Sequence, residues 1–75
     1  MVDKTELARL VGLAEEAYDR MYDAPRPRDE YEGASKYFHQ AIQEAQRLGL
    51  DDEVARLTQR SDHVRKIYDS QFRNI

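Results

Sequence analysis

Three segments of the chain place apolar residues at the three-and-four spacing of an α-helix. The first segment contains Leu7, Leu10, Val11, Ala14, Ala17, Tyr18, Met21 and Tyr22. The second contains Tyr31, Ala34, Phe38, Ala41, Ile42, Ala45 and Leu48, with Tyr37 at its edge. The third contains Val54, Leu57, Ser61, Val64, Tyr68 and Phe72. Because residues at this spacing share one face of a helix, the pattern predicts amphipathic helices over about residues 4–23, 28–48 and 51–73.

Polar residues at the start of the first segment predict where its helix begins. Asp3 is placed to cap the free backbone amides, and Glu6 follows at the spacing of a capping box. Val2 and Leu7 flank this cap as a hydrophobic staple would. We therefore expect the first helix to start immediately after Asp3.

The two connections between the helices are short. Pro25 ends the first helix, and Pro27 suits the first turn of the second. Gly49 supplies a left-handed turn after the second helix, and Asp51 is placed to cap the third. Short loops make consecutive helices antiparallel. The sequence thus predicts an all-α, up-down-up three-helix bundle forming a single domain over residues 1–75.

Oppositely charged residues four positions apart are expected to support the three helices. The predicted pairs are Glu16–Arg20, Glu32–Lys36, Asp52–Arg56, Asp62–Lys66 and Asp69–Arg73.

Composition narrows the class of protein. A chain of 75 residues forms one domain, and without cysteine it has neither disulfides nor thiolate metal sites. A net charge of −3 disfavours nucleic-acid binding, which normally uses a basic surface. There is no apolar run near the ~20 residues that span a bilayer, and the amino terminus is polar. We expect a cytoplasmic protein that does not contact membranes.

One stretch of the second helix resembles known helical modules. Residues 34–41, Ala-Ser-Lys-Tyr-Phe-His-Gln-Ala, have the small-and-aromatic spacing of the second helix of a tetratricopeptide repeat. The run from Tyr31 through Tyr37 to Ile42 is similar to the middle helix of microtubule-interacting-and-transport domains, which are three-helix bundles. Both families bind short peptides or helices in grooves, so the resemblance implies a groove for a protein partner.

Residues capable of catalysis or metal binding do not form a recognisable site. His39 and His63 are the only histidines, and they lack the additional ligands that a zinc ion requires. The carboxylates of the first helix, Glu15, Glu16, Asp19 and Asp23, are expected to face solvent. We therefore predict no catalytic residue, no metal, no cofactor and no small-molecule substrate.

Side chains near or outside the apolar stripes are the candidates for binding a protein. They are Arg56, Arg60, His63 and Ile67 in a row on helix three, Leu13 on helix one and Tyr37 on helix two. Arginine and aromatic residues are enriched at interfaces. The sequence favours an adaptor or regulatory module that uses an inter-helix groove or the outer face of helix three. The alternative is a homo-oligomer in which the acidic face of helix one meets the basic row of helix three.

Overall fold

The computed structural model describes residues 3–72 and contains three α-helices in chain order. They are α1 (Thr5–Met21), α2 (Pro27–Arg47) and α3 (Asp51–Gln71). The expected ranges of about 4–23, 28–48 and 51–73 lie within two residues of these bounds, and residue 73 lies outside the described residues. The described part of the chain has no strand, so the predicted all-α three-helix fold is confirmed.

The start of α1 differs from the predicted capping box. The carboxylate of Asp3 accepts a hydrogen bond from the backbone N–H of Thr5 at 2.9 Å, but the cap position itself is Lys4. Glu6 does not turn back towards the cap, because its carboxylate binds the Arg9 guanidinium, with 3.0 Å from Nε. Val2, the other half of the predicted staple, lies outside the described residues.

The connection between α1 and α2 spans residues 22–26. Pro27 occupies the first turn of α2, as predicted, where its missing N–H leaves no hydrogen bond unmade. The Arg20 guanidinium, near the end of α1, donates to the Glu30 carboxylate in the first turn of α2 at 3.0 Å. This contact between the helices holds the corner together, and it replaces the predicted pair of Arg20 with Glu16.

The corner between α2 and α3 is built on Gly49, which has a φ of 73°. Its N–H donates to the carbonyl of Gln46 at 3.1 Å, and the N–H of Leu50 donates to the carbonyl of Ala45 at 2.9 Å. These two bonds form the Schellman motif that ends many helices. Asp51 is the first residue of α3 rather than its cap, which is Leu50, and no side chain caps this end.

The core lies mainly between α1 and α2. Its buried residues are Leu7, Leu10, Ala14, Ala17, Tyr18, Met21, Ala34, Phe38, Ala41, Ala45, Leu57 and Val64. Five of them are alanines of α1 and α2, and small side chains let two helices pack closely. α3 contributes only Leu57 and Val64 to this set and packs chiefly on α2. The facing sides of α1 and α3 therefore meet mostly through long side chains.

Most surface charges pair three residues apart or across helices, not at the predicted spacing of four. Glu53 binds Arg56 and Asp62 binds Arg65 at a spacing of three, whereas Arg28 binds Glu32 at a spacing of four. The predicted pairs Glu32–Lys36, Asp52–Arg56 and Asp62–Lys66 are therefore wrong in their partners. The pair Asp69–Arg73 extends outside the described residues.

Candidate interaction surface

Arg60 does not point outward from α3, as the sequence suggested. Its guanidinium donates two hydrogen bonds to the carboxylate of Glu15 on α1, at 2.7 and 2.9 Å. The same guanidinium lies over the ring of Tyr18, 5.0 Å from its centroid. The interpretation of this residue as part of an outer face is corrected: Arg60 links α3 to α1.

The Glu15–Arg60 contact also sets the electrostatics of the seam between α1 and α3. The hydrogen bonds from Arg60 hold the pKa of Glu15 below its usual value, against the opposing effect of partial burial. The charges of Arg56 and His63 act in the same direction. The acidic face of α1 and the basic row of α3 thus satisfy each other partly within a single chain.

The other predicted residues on α3 divide between the seam and solvent. Ile67 is half-buried and packs against the core, so its predicted outward position is also corrected. His63 is exposed, and its ring lies edge-on to Tyr18 at 6.4 Å. Arg56 is exposed and donates to Glu53 at 2.7 Å. Of the predicted row, only Arg56 and His63 are freely accessible.

The two remaining candidates, Leu13 and Tyr37, are both half-buried. Tyr37 packs against the core. The contacts of Arg56 and His63 within residues 3–72 are with Glu53 and Tyr18, and none joins them to Leu13 or Tyr37.

Aromatic rings form a chain at the end of the bundle where α1 ends. Tyr31 and Tyr68 stack at 4.2 Å between centroids, and Phe72 connects Tyr68 to Tyr22. The hydroxyls of Tyr18 and Tyr22 are 2.8 Å apart. Burial and, to a smaller extent, this hydrogen bond raise the pKa of Tyr18 to about 12. Each ring continues an apolar stripe, so the cluster closes the bundle end as aromatic packing does.

A shallow depression opens at the other end of the bundle, on the seam between α1 and α3. It has a volume of about 420 Å³. It is lined by Lys4, Leu7, Ala8, Val11, Gly12, Glu53 and Arg56. Most of its α1 wall is apolar or small, whereas Lys4, Glu53 and Arg56 bring charge to its rim. The apolar stripes in the sequence did not predict this surface.

Gly12 is the one signal in the sequence that marks this depression. It lies inside α1 and is exposed, and a Cβ added at this position would meet no atom within 4 Å. Glycine inside a helix is destabilising by roughly 0.5–1 kcal/mol relative to alanine. Among the described residues, nothing requires glycine at position 12: its φ is not positive, and no neighbouring atom lies within 4 Å of an added Cβ.

A second depression, of about 450 Å³, lies at the corner between α1 and α2. Carboxylates and Arg20 make up most of its lining, and Arg20 is already bound to Glu30.

Residues 3–72 contain no group of three or more histidine, cysteine, aspartate or glutamate side chains placed to hold a metal ion. His39 is exposed and contacts Gln43 of its own helix at 3.3 Å. Within the same range, every helix is too short or too polar to cross a bilayer.

Comparisons with protein families, with curated proteins and with solved structures give no match to this chain.

Proposed function

We propose that this protein is a non-catalytic interaction module that holds a helical segment of a protein partner in the depression between α1 and α3. The observation that carries the proposal is Gly12, an exposed helix-interior glycine in the wall of an apolar depression. A glycine there costs stability inside the chain. Its absent side chain is useful only to something that approaches α1 closely from outside.

The chemistry of the depression suits a helix better than a small ligand. An amphipathic helix binds by laying its apolar side into a groove between helices. Val11, which is half-buried, offers apolar contact, and Ala8 and Gly12 let a second backbone come near. The depression is open along the seam, whereas small-molecule sites are usually concave and enclose most of their ligand.

Selection of helix-forming peptides on the immobilised protein tests this function. Peptides that bind wild type should lose at least tenfold in affinity for Gly12→Arg, because the new side chain fills the depression. Gly33→Arg is the matched control. It makes the same substitution inside α2, where an added Cβ also meets nothing within 4 Å, and it leaves the lining of the depression unchanged.

Two results would overturn the proposal. One is that no selected peptide binds wild type. The other is that Gly12→Arg and Gly33→Arg bind the selected peptides equally well, which would move the binding surface elsewhere.

A homo-oligomeric assembly protein is the second candidate, because the depression lies on an exposed face that another copy of α1 can reach. Nucleic-acid binding has less support: the net charge is −3, and several arginines are already paired with carboxylates. A cytoplasmic location and the resemblance to tetratricopeptide or microtubule-interacting-and-transport modules stay predictions.

A further inference from the structure

We infer that the helix received by the depression between α1 and α3 is α1 of a second copy of this chain, lying antiparallel to the first. This inference rests on the proposed function and names its partner. It follows from the order of four exposed residues along α1 and from the charges at the rim of the depression.

The four residues are Lys4, Ala8, Gly12 and Glu16, and each is exposed. Their spacing of four places them in one row along the helix surface. The row carries a cation at one end, two small residues in the middle and an anion at the other end. Three of the four, all but Glu16, also line the depression.

This order is self-complementary in one orientation only. If two copies of α1 lie antiparallel and centred between Ala8 and Gly12, Lys4 of each copy faces Glu16 of the other. Ala8 of each copy then faces Gly12 of the other, which lets the two backbones come close together. In a parallel arrangement each Lys4 would face the other Lys4, and each Glu16 the other Glu16.

The charges needed for this contact are available. Within residues 3–72, Lys4 and Glu16 make no ion pair within 4 Å, unlike neighbouring Glu15, which is held by Arg60. Arg56 and Glu53 also lie on this rim but bind each other at 2.7 Å, so Lys4 is, among the described residues, its cation without an ion pair. An antiparallel second α1 brings its acidic carboxyl-terminal half, including Glu16, towards Lys4 at this end of the depression.

The size of the contact predicts a transient dimer. α1 has 17 residues, so one pair of such helices buries less surface than the 1,200–2,000 Å² typical of stable complexes. We expect a dissociation constant on the order of 100 µM, and therefore a monomer at low concentration that dimerises as concentration rises.

Sedimentation equilibrium of charge-exchange variants tests both the partner and its orientation. Lys4→Glu alone makes both facing pairs acidic, and Glu16→Lys alone makes both basic. Each variant should dimerise roughly tenfold more weakly than wild type. An equimolar mixture of the two should form a heterodimer about as well as wild type forms its homodimer, because both facing pairs then regain opposite charges.

Gly12→Arg should abolish dimerisation, and Gly33→Arg should leave it unchanged. Circular dichroism of each variant verifies that the helices remain folded. A strictly monomeric wild type at millimolar concentration would overturn the inference, as would a mixture that associates no better than its separate components.

The experiments distinguish failure of the dimer inference from failure of the proposed function. A monomeric wild type whose selected peptides still depend on Gly12 removes the second copy and keeps the interaction module. Loss of both dimerisation and peptide binding removes both proposals.

Discussion

Arg60 of α3 and Glu15 of α1 form a bidentate ion pair, although the two residues are 45 positions apart in the sequence. The pair spans a seam where the two helices otherwise meet through few contacts. Because α3 contributes only Leu57 and Val64 to the buried core, this polar contact contributes to fixing how α3 lies against α1. It also keeps the acidic side of α1 from facing solvent with all of its charges unpaired.

A double-mutant cycle should measure this contact. Glu15→Gln and Arg60→Gln are each expected to lower the free energy of unfolding, and their coupling energy should be about 1 kcal/mol. The value is kept small because the side chains are 37% and 36% exposed, which lets solvent screen the attraction. Urea unfolding of the four proteins gives the coupling directly. The matched control is the more exposed pair Glu6–Arg9, for which we expect a smaller coupling.

The pKa of Glu15 predicts how stability changes in acid. Because Arg60 lowers this pKa below 4.5 in the folded state, the carboxylate stabilises the fold fully above the unfolded pKa. The contribution is lost as pH falls through the lower, folded value. Unfolding free energies measured from neutral pH to about pH 3 should therefore fall less steeply for Glu15→Gln than for wild type. Parallel curves for the two proteins would contradict this assignment.

The pKa of Tyr18 predicts that the protein loses stability as pH rises in the alkaline range. Its pKa rises from 10.0 to about 12 in the folded protein, so the fold favours the neutral phenol. The associated stability is complete below pH 10 and is lost as pH rises towards 12. Tyr18→Phe should flatten this loss, and ultraviolet titration should show one fewer late-ionising phenol. Tyr37→Phe is a control outside the Tyr18–Tyr22 hydrogen bond.

Truncation of Leu57 should show how much of the protein's stability depends on the packing of α3. Its side chain is fully buried, and truncating a buried leucine to alanine costs about 2–5 kcal/mol. A single core of this size supplies only about 3–5 kcal/mol of net stability. Leu57→Ala should therefore be largely unfolded at 25 °C by circular dichroism. Val54→Ala, at a half-buried position of the same helix, should stay folded.

The helices and their corners could be predicted from the sequence because each depends on local signals. Apolar spacing fixed the three segments, Pro27 marked the start of α2, and Gly49 marked the turn into α3. The ion pairs could not be predicted in the same way. Neighbours three and four residues away lie at similar distances on a helix surface, so spacing alone does not choose between them.

The contacts between α1 and α3 were harder to predict than the ion pairs within a helix, because they depend on how the two helices are rotated about their axes. Arg60 follows Leu57 by three residues and precedes Val64 by four, and both of these are buried. That spacing places Arg60 on the edge of the core side of α3, where a long side chain can reach a neighbouring helix. This spacing is visible in the sequence. Because the sequence does not show where α1 lies, the spacing indicates only that Arg60 is a basic residue beside the apolar stripe of α3.

Two glycines should respond to alanine in opposite directions. Gly12 has no positive φ and no neighbour within 4 Å of an added Cβ, so Gly12→Ala should raise the free energy of unfolding by about 0.5–1 kcal/mol. Gly49 has a φ of 73°, a region that disfavours side chains, so Gly49→Ala should lower it by roughly 1–2 kcal/mol. Thermal or urea unfolding at low protein concentration measures both without interference from association. A destabilising Gly12→Ala would mean that the fold itself requires this glycine, and the argument that it serves an approaching partner would fail.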